Sequence, residues 1–181
     1  MWKTSGFWVI LYLDYLTRKC PERRICRDKG LTVDSGLFKT EGECKMSVVA
    51  ELIRTEDSGA LSFGNYELAE KAKKEDYECA GSFYKVKTFK EITKLERDGM
   101  FVYESVPGTC VHDFNLGASG VDFTVSGSED AQITVGLKED TEYEIFVGGN
   151  STGKMKTNLG GKLSFGVELE GNGEVPVSIR L

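Results

Sequence analysis

The sequence predicts an all-β protein of antiparallel strands, with an N-terminal β-meander followed by a C-terminal Ig-like β-sandwich. Two observations carry the prediction. From residue 46 to the C-terminus, short runs rich in Val, Ile, Phe, Tyr and Leu follow one another, separated by turn sequences roughly every 8–12 residues. In the C-terminal runs, one face carries Val, Phe, Ile or Leu and the other carries Asp, Thr, Gln, Lys or Glu, as in antiparallel sheets with one wet side.

The elements follow in order. Residues 47–54 (SVVAELIR) are apolar-rich and compatible with strand or helix, and Ser58-Gly59 marks a turn. In residues 60–68 the alternation of Leu61 and Phe63 is interrupted at Gly64, which suggests a bulge. Residues 69–76 (AEKAKKED) read as a short helix or charged loop without a hydrophobic stripe. Residues 83–89 (FYKVKTF) alternate, with Tyr84 and Val86 on one face and Lys85 and Lys87 on the other. Residues 92–96 and 100–104 flank Arg97-Asp98-Gly99, a hairpin signal, and Pro107-Gly108 breaks the chain. A meander with a lysine-bearing face blunts its strand edges against aggregation. Six further runs, 120–126, 131–137, 142–147, 153–157, 162–169 and 174–181, complete the C-terminal third. A short echo relates residues 59–64 (GALSFG) to residues 161–166 (GKLSFG); both fit a turn followed by a strand start.

A seam between Lys45 and Met46 divides the chain. Before it stand both tryptophans, three of five cysteines and nine basic residues against six acidic; after it, 14 basic residues face 23 acidic ones. Glu41-Gly42-Glu43 can be encoded by a purine-rich, ribosome-binding-like sequence a short spacer ahead of the Met46 codon. Residues 1–45 are therefore read as a non-native, poorly ordered upstream extension, with 46–115 the meander and 116–181 the sandwich. The apolar run 7–13 (FWVILYL) is too short to span a bilayer, and no small-residue cleavage site follows it. With translation from Met46, a cytoplasmic location is expected.

Composition excludes several functions. A net charge of −6, or −9 from Met46 on, repels phosphate backbones, so nucleic acid is not an expected partner. The same charge disfavours a polyanionic substrate unless a local basic patch compensates. No membrane partner and no cofactor are expected. After Met46 the cysteines are Cys79 and Cys110 and the one histidine is His112, without CxxC or HxxxH spacing, so no metal site is expected and the cysteines read as free thiols.

No catalytic constellation stands out. Most carboxylates lie in turns or on wet strand faces. Arg54, Arg97 and Arg180 are the only arginines after Met46, with Arg97 at a hairpin tip and Arg180 near the C-terminus. Cys110 and His112, two apart on a strand, point the same way and could touch; a buried cysteine beside a surface histidine is the simpler reading. The Gly-rich run 158–162 lacks the ending of a phosphate loop and reads as a hairpin. Tyr84, Tyr103 and Tyr143 are the candidate platform residues for a sugar ring.

The runs 84–96 (YKVKTFKEITKLE), 99–109 (GMFVYESVPGT), 130–134 (DAQIT), 141–144 (TEYE) and 154–164 (KMKTNLGGKLS) together resemble the short proteins of clostridial gut bacteria carried under the name endosialidase, or endosialidase catalytic beta chain. The similarity covers essentially residues 46–181, and members typically begin where Met46 stands. The C-terminal third is also similar to small β-sandwich modules of carbohydrate-active enzymes. The family name implies a glycoside hydrolase acting on polysialic acid, but its motifs carry no catalytic residue to transfer, and repeated sialidase boxes are missing from the chain. Length, charge and motifs favour a non-catalytic binding or assembly module, with a glycan or protein partner or self-association through the lysine-rich meander. The start is directly testable: intact-mass measurement of native protein is expected to give a product beginning at Met46, and one beginning at Met1 overturns that reading.

Overall fold

The chain beyond the first turn is built from strands alone. The computed structural model describes residues 48–181; the expected seam at Met46 and the extension 1–45 lie outside them. A hairpin of β1 (Ile53–Thr55) and β2 (Leu61–Phe63) opens the described chain. A four-strand meander follows: β3 (Ala72–Cys79), β4 (Ser82–Phe89), β5 (Ile92–Arg97) and β6 (Met100–Val106). Next come β7 (Cys110–Gly117), β8 (Gly120–Ser126), β9 (Ala131–Gly136), β10 (Glu142–Val147), β11 (Asn150–Lys156), β12 (Lys162–Val167) and β13 (Glu174–Arg180). They form two antiparallel sheets, a seven-stranded one in the order β1-β2-β7-β8-β13-β10-β11 and a six-stranded one in the order β12-β9-β6-β5-β4-β3.

Alternation decides what each sheet buries. Val86, Leu95, Tyr103, Ile133, Val135 and Leu163 of the six-stranded sheet share one apolar core with Phe63, Val111, Phe123, Val125, Ile145, Val177 and Ile179 of the other. Aromatic rings carry the contact across the layers. Tyr103 meets Phe63 edge-on at 5.4 Å and Phe123 at 5.8 Å, and Phe114 completes the cluster against Phe63 at 5.6 Å. Each such pair is worth about 0.5–1.5 kcal/mol beyond its buried area.

The structure corrects two readings. Residues 72–79 are the edge strand β3, where a helix or charged loop was expected over 69–76. Its charges suit an edge strand: Lys85 of β4 reaches across to Glu75 at 2.7 Å, and the Lys74 ammonium lies over the Tyr77 ring. A register shift between Lys74 and Tyr77, with Asp76 at φ 56°, hides the two-residue period from a sequence reading. The expected division into 46–115 and 116–181 also fails, because position 115 lies inside β7 and both sheets draw strands from both halves. After β6 the chain crosses to the other sheet, which leaves the far side of β6 to pair with β9. Gly108 makes the crossing possible, since any Cβ there would run into the Phe89 carbonyl. The echo pair separates likewise: Ser62 is buried in β2 of one sheet, while Ser164 is exposed in β12 of the other.

The β5–β6 hairpin turns on Asp98 at φ 50° and Gly99 at φ 78°, both in the left-handed region that two-residue turns require. Nothing lies within 4 Å of a Cβ built on Gly99, so a larger residue there meets backbone strain and no clash. Gly99→Val is expected to destabilise the fold by about 1 kcal/mol or more. Urea denaturation checks this; an unchanged midpoint refutes it.

Candidate functional site

Strands β7, β8, β13 and β10 lie side by side, and the side chains they withhold from the core form the outer face of the seven-stranded sheet. Two cross-strand rows organise it. One runs Asn115, Asp122, Ser178, Phe146; the other runs His112, Thr124, Pro176. Between them lies an open depression of about 280 Å³, lined by Asp113, Asp122, Thr124, Phe146, Pro176 and Ser178 among others.

Local backbone features place these groups. A register shift between His112 and Asn115 in β7 holds Asp113 at φ 52°, a left-handed conformation that aspartate tolerates, and its N–H donates to Ser62 Oγ at 3.2 Å. Pro176 sits just beyond the last β10 pair, Val147 with Val177, and its carbonyl accepts the Gly148 N–H at 2.9 Å. Ser178 donates a short hydrogen bond to Asp122 Oδ1, and Arg180 Nη2 reaches the same oxygen at 2.6 Å. Burial pushes the Asp122 carboxyl up, but the Arg180 and Ser178 bonds outweigh it and hold it below its ordinary range.

One register step away, on the same face, Cys110 Sγ stands 3.2 Å from His112 Nε2. The expected contact is present, but the histidine is buried with the cysteine, which corrects the surface placement. Burial pushes the thiol up to about 11, and burial together with nearby Arg54 lowers the imidazole. Both groups rest neutral at pH 7, so Cys110 is no thiolate nucleophile. Beside them Glu56 is held low by hydrogen bonds from Ser62 and from Arg54, whose Nε lies at 2.7 Å.

The three tyrosines expected as a platform do not come together. Tyr103 is fully buried, its hydroxyl against Thr109 Oγ1, and Tyr143 is buried in the same core; neither can offer an open ring face, because alternation turns both inward. Tyr84 is half-buried and faces the gap between the sheets. Arg54, Arg97 and Arg180 lie on three different strands, each beside its own carboxylate, Glu56, Asp98 and Asp122. The residues a sequence reading missed are Phe146 and Pro176. The signal existed: in 142–147 (EYEIFV) the period that sends Tyr143 and Ile145 inward sends Phe146 to the wet face. Among the described residues no three His, Cys, Asp or Glu side chains gather to hold a metal ion, and no helix is long and apolar enough to cross a membrane.

Since the folded state keeps His112 neutral, the unfolded chain takes up the proton first as pH falls through the ordinary imidazole value of 6.5. His112 thus contributes stability above that value and loses it below, with a slope of up to about 1.4 kcal/mol per pH unit. Glu56 and Asp122, lowered from 4.5 and 3.8, lose their contributions at lower pH. Denaturation between pH 6.5 and 5 is expected to show a falling stability that His112→Gln flattens; a wild-type profile already flat there refutes the assignment. Comparison with family models, curated proteins and solved structures finds no match, so geometry alone supports the functional reading.

Proposed function

We propose that the chain is a non-catalytic binding module of Ig-like β-sandwich topology that takes a neutral glycan on the outer face of the seven-stranded sheet. One observation carries the reading: Phe146, Ser178 and Asp122 stand in a single cross-strand row along the depression. Adjacent strands are about 4.8 Å apart, so the aromatic ring and the carboxylate are separated by roughly 10 Å, about the length of two sugar units. A pyranose offers an apolar C–H face to an aromatic ring and hydroxyls at its rim. Phe146 and Pro176 supply the apolar surface, and Thr124 with Ser178 supplies hydroxyls. Asp122 Oδ1 is occupied by Ser178 and Arg180, which orients the carboxylate and leaves Oδ2 to accept a sugar hydroxyl.

Charge selects the ligand class. With 23 acidic residues against 14 basic from Met46 on, a neutral glycan meets no repulsion, whereas a polyanion does. A two-carboxylate hydrolase needs one carboxyl held protonated near neutral pH, and a sialidase-type one needs a tyrosine nucleophile with arginines on the sugar carboxylate, whereas Arg54, Arg97 and Arg180 each lie beside a carboxylate of their own. Of the two carboxylates at the depression, Asp122 is held ionised by its partners, and every other carboxyl that shifts also moves down. Lys73, Lys87 and Lys94 stand opposite one another on β3, β4 and β5, and an identical row in a second copy would repel them, so self-association through that face has no part in this reading. A cytoplasmic location belongs to this reading.

Titration of the full chain with neutral oligosaccharides is expected to give saturable binding. Phe146→Ala is expected to weaken it about tenfold and Asp122→Asn about fivefold. Incubation with polysialic acid is expected to leave chain length unchanged. Shortening of polysialic acid that disappears with Asp122→Asn would transfer the reading to the hydrolase, and glycan binding indifferent to Phe146→Ala would remove it from this face.

A further inference from the structure

The outer face of the six-stranded sheet carries two cross-strand rows that neither the core nor the glycan face uses. In one, Lys73 of β3, Lys87 of β4 and Lys94 of β5 stand directly opposite one another. Neighbouring strands are about 4.8 Å apart, so three like charges are lined up at that spacing, an arrangement that costs a sheet stability. Two of the three are partly relieved. Lys94 Nζ lies 2.8 Å from Glu96 Oε1, and Lys73 Nζ lies 3.5 Å from Glu75 Oε1, which is shared with Lys85 at 2.7 Å. Lys87, the middle one, has no ion pair among the described residues.

The second row runs beside the first, two residues away along each strand. Phe89 of β4 is the cross-strand partner of Ile92 of β5. Val106 of β6 follows one step beyond the pair Thr93 with Ser105, which brings it next to Ile92. These three share the parity of Lys87, Lys94 and Glu104, so they point outward, and none belongs to the core cluster. Val106 is 52% exposed, and Phe89 and Ile92 are half-buried. Two residues of strand span about 6.8 Å, so a cationic row and an apolar row lie side by side on the wet side of the sheet. Both arrangements cost the isolated fold something, and a single occupant relieves both.

We propose that the two rows dock an extended acidic peptide segment of a partner protein. Successive side chains of an extended chain point to opposite sides, so a segment that alternates acidic and apolar residues sets carboxylates over Lys73, Lys87 and Lys94 and apolar side chains over Phe89, Ile92 and Val106. A nucleic acid or an anionic membrane presents phosphates continuously and meets Glu75, Glu96 and Glu104 along with the lysines. A second copy brings the same lysines. The net negative charge of the chain is no obstacle: at physiological salt charges are screened beyond about 8 Å, and the other sheet lies about 10 Å behind. The rows belong to the sheet opposite the glycan face, and the proposal stands or falls without it.

Capped peptides of about six residues are long enough to cross the three strands and serve as probes, titrated into the isotope-labelled full chain and followed by NMR. One alternates Glu and Leu, one Glu and Ser, one Lys and Leu. The Glu-Leu peptide is expected to shift signals of Lys87, Ile92 and Val106 while leaving Phe146 in place. It is expected to bind at least fivefold more tightly than the Glu-Ser peptide and to weaken as salt rises, whereas the Lys-Leu peptide does not bind. Lys87→Gln is expected to weaken the Glu-Leu peptide about fivefold while leaving the urea midpoint unchanged or higher, since it removes the centre of a repelling row. Val106→Ser is expected to weaken it about threefold, and both residues lie outside the core, so the fold is kept. Equal binding of the Lys-Leu peptide, indifference to Lys87→Gln, or an oligonucleotide of equal charge binding as tightly would each overturn the proposal. So would a urea midpoint that falls in Lys87→Gln, because the lysine row would then serve the fold.

Discussion

The passage of the chain from one sheet to the other at residues 107–109 is the constraint on which the rest of the structure depends. Backbone that crosses a protein interior carries polar groups that cost about 1–3 kcal/mol each when unpaired. Here Thr93 Oγ1 accepts the Thr109 N–H at 3.2 Å and contacts the Thr109 carbonyl at 2.8 Å as donor. The Thr109 hydroxyl meets Tyr103 at 3.0 Å and Ser105 at 2.7 Å. Thr88 extends the chain of bonds, 2.9 Å from Thr93 and accepting the Asn65 N–H at 2.8 Å. Since all the threonines and Ser105 are buried, the network is stabilising only when complete. It ties β4, β5 and β6 to the crossover, and through Asn65 it fixes the segment that follows β2. It also anchors the Tyr103 ring, around which Phe63, Phe114 and Phe123 pack edge-on or nearly so.

That anchorage decides which side chains of β7 the core takes and which it leaves outside. With β7 delivered into the seven-stranded sheet beside β2 and β8, its inward residues Val111 and Phe114 join the core, and its outward ones must be solvated, paired or neutral. Asp113 is turned outward by the shift in register, while Cys110 and His112 are paired and kept uncharged. At the other end of the core, the inward row Tyr77, Tyr84, Arg97, Met100 runs out toward solvent, with Tyr84 half-buried and Arg97 exposed. The outer face is thus made of residues left over after the core has taken what it needs.

Much of this was readable from sequence. Strands 120–126 and 142–147 match β8 and β10 residue for residue, because turn sequences bracket them, with glycine at 117, 120 and 127 and at 148–149 and Lys-Glu-Asp-Thr at 138–141, and alternation within them is clear. Asp98-Gly99 announced its hairpin through turn chemistry alone. What was not readable depended on distant partners. The charged segment 72–79 is a strand because β4 offers it an edge, and its own period is broken at Asp76. The pairing of β6 with β9 joins residues about thirty positions apart and merges what local pattern separates into two domains. Tyrosine is equally at home in core and on surface, so the burial of Tyr103 and Tyr143 follows from the stacking of sheets and not from any local signal. Phe146 was legible in principle, as an apolar residue on the polar beat of its strand.

Among the described residues, the outer-face groups with resolved shifts are held in the states they would mostly take in water at pH 7. Catalytic acids, bases and nucleophiles are commonly held in a protonation state that they would not choose in water, with structure supplying the difference. On the outer face the opposite is arranged. Cys110 and His112 could exchange a proton, yet burial stabilises the neutral form of each, so the geometry of a nucleophile–base pair is present without its driving force. Asp122 and Glu56 are ionised as water would have them, only more firmly, through guanidinium and hydroxyl partners. Such groups are relaxed, and a relaxed, oriented set of donors and acceptors beside the half-buried Phe146 ring is what the proposed binding needs, because preorganisation lowers the cost of ordering on association.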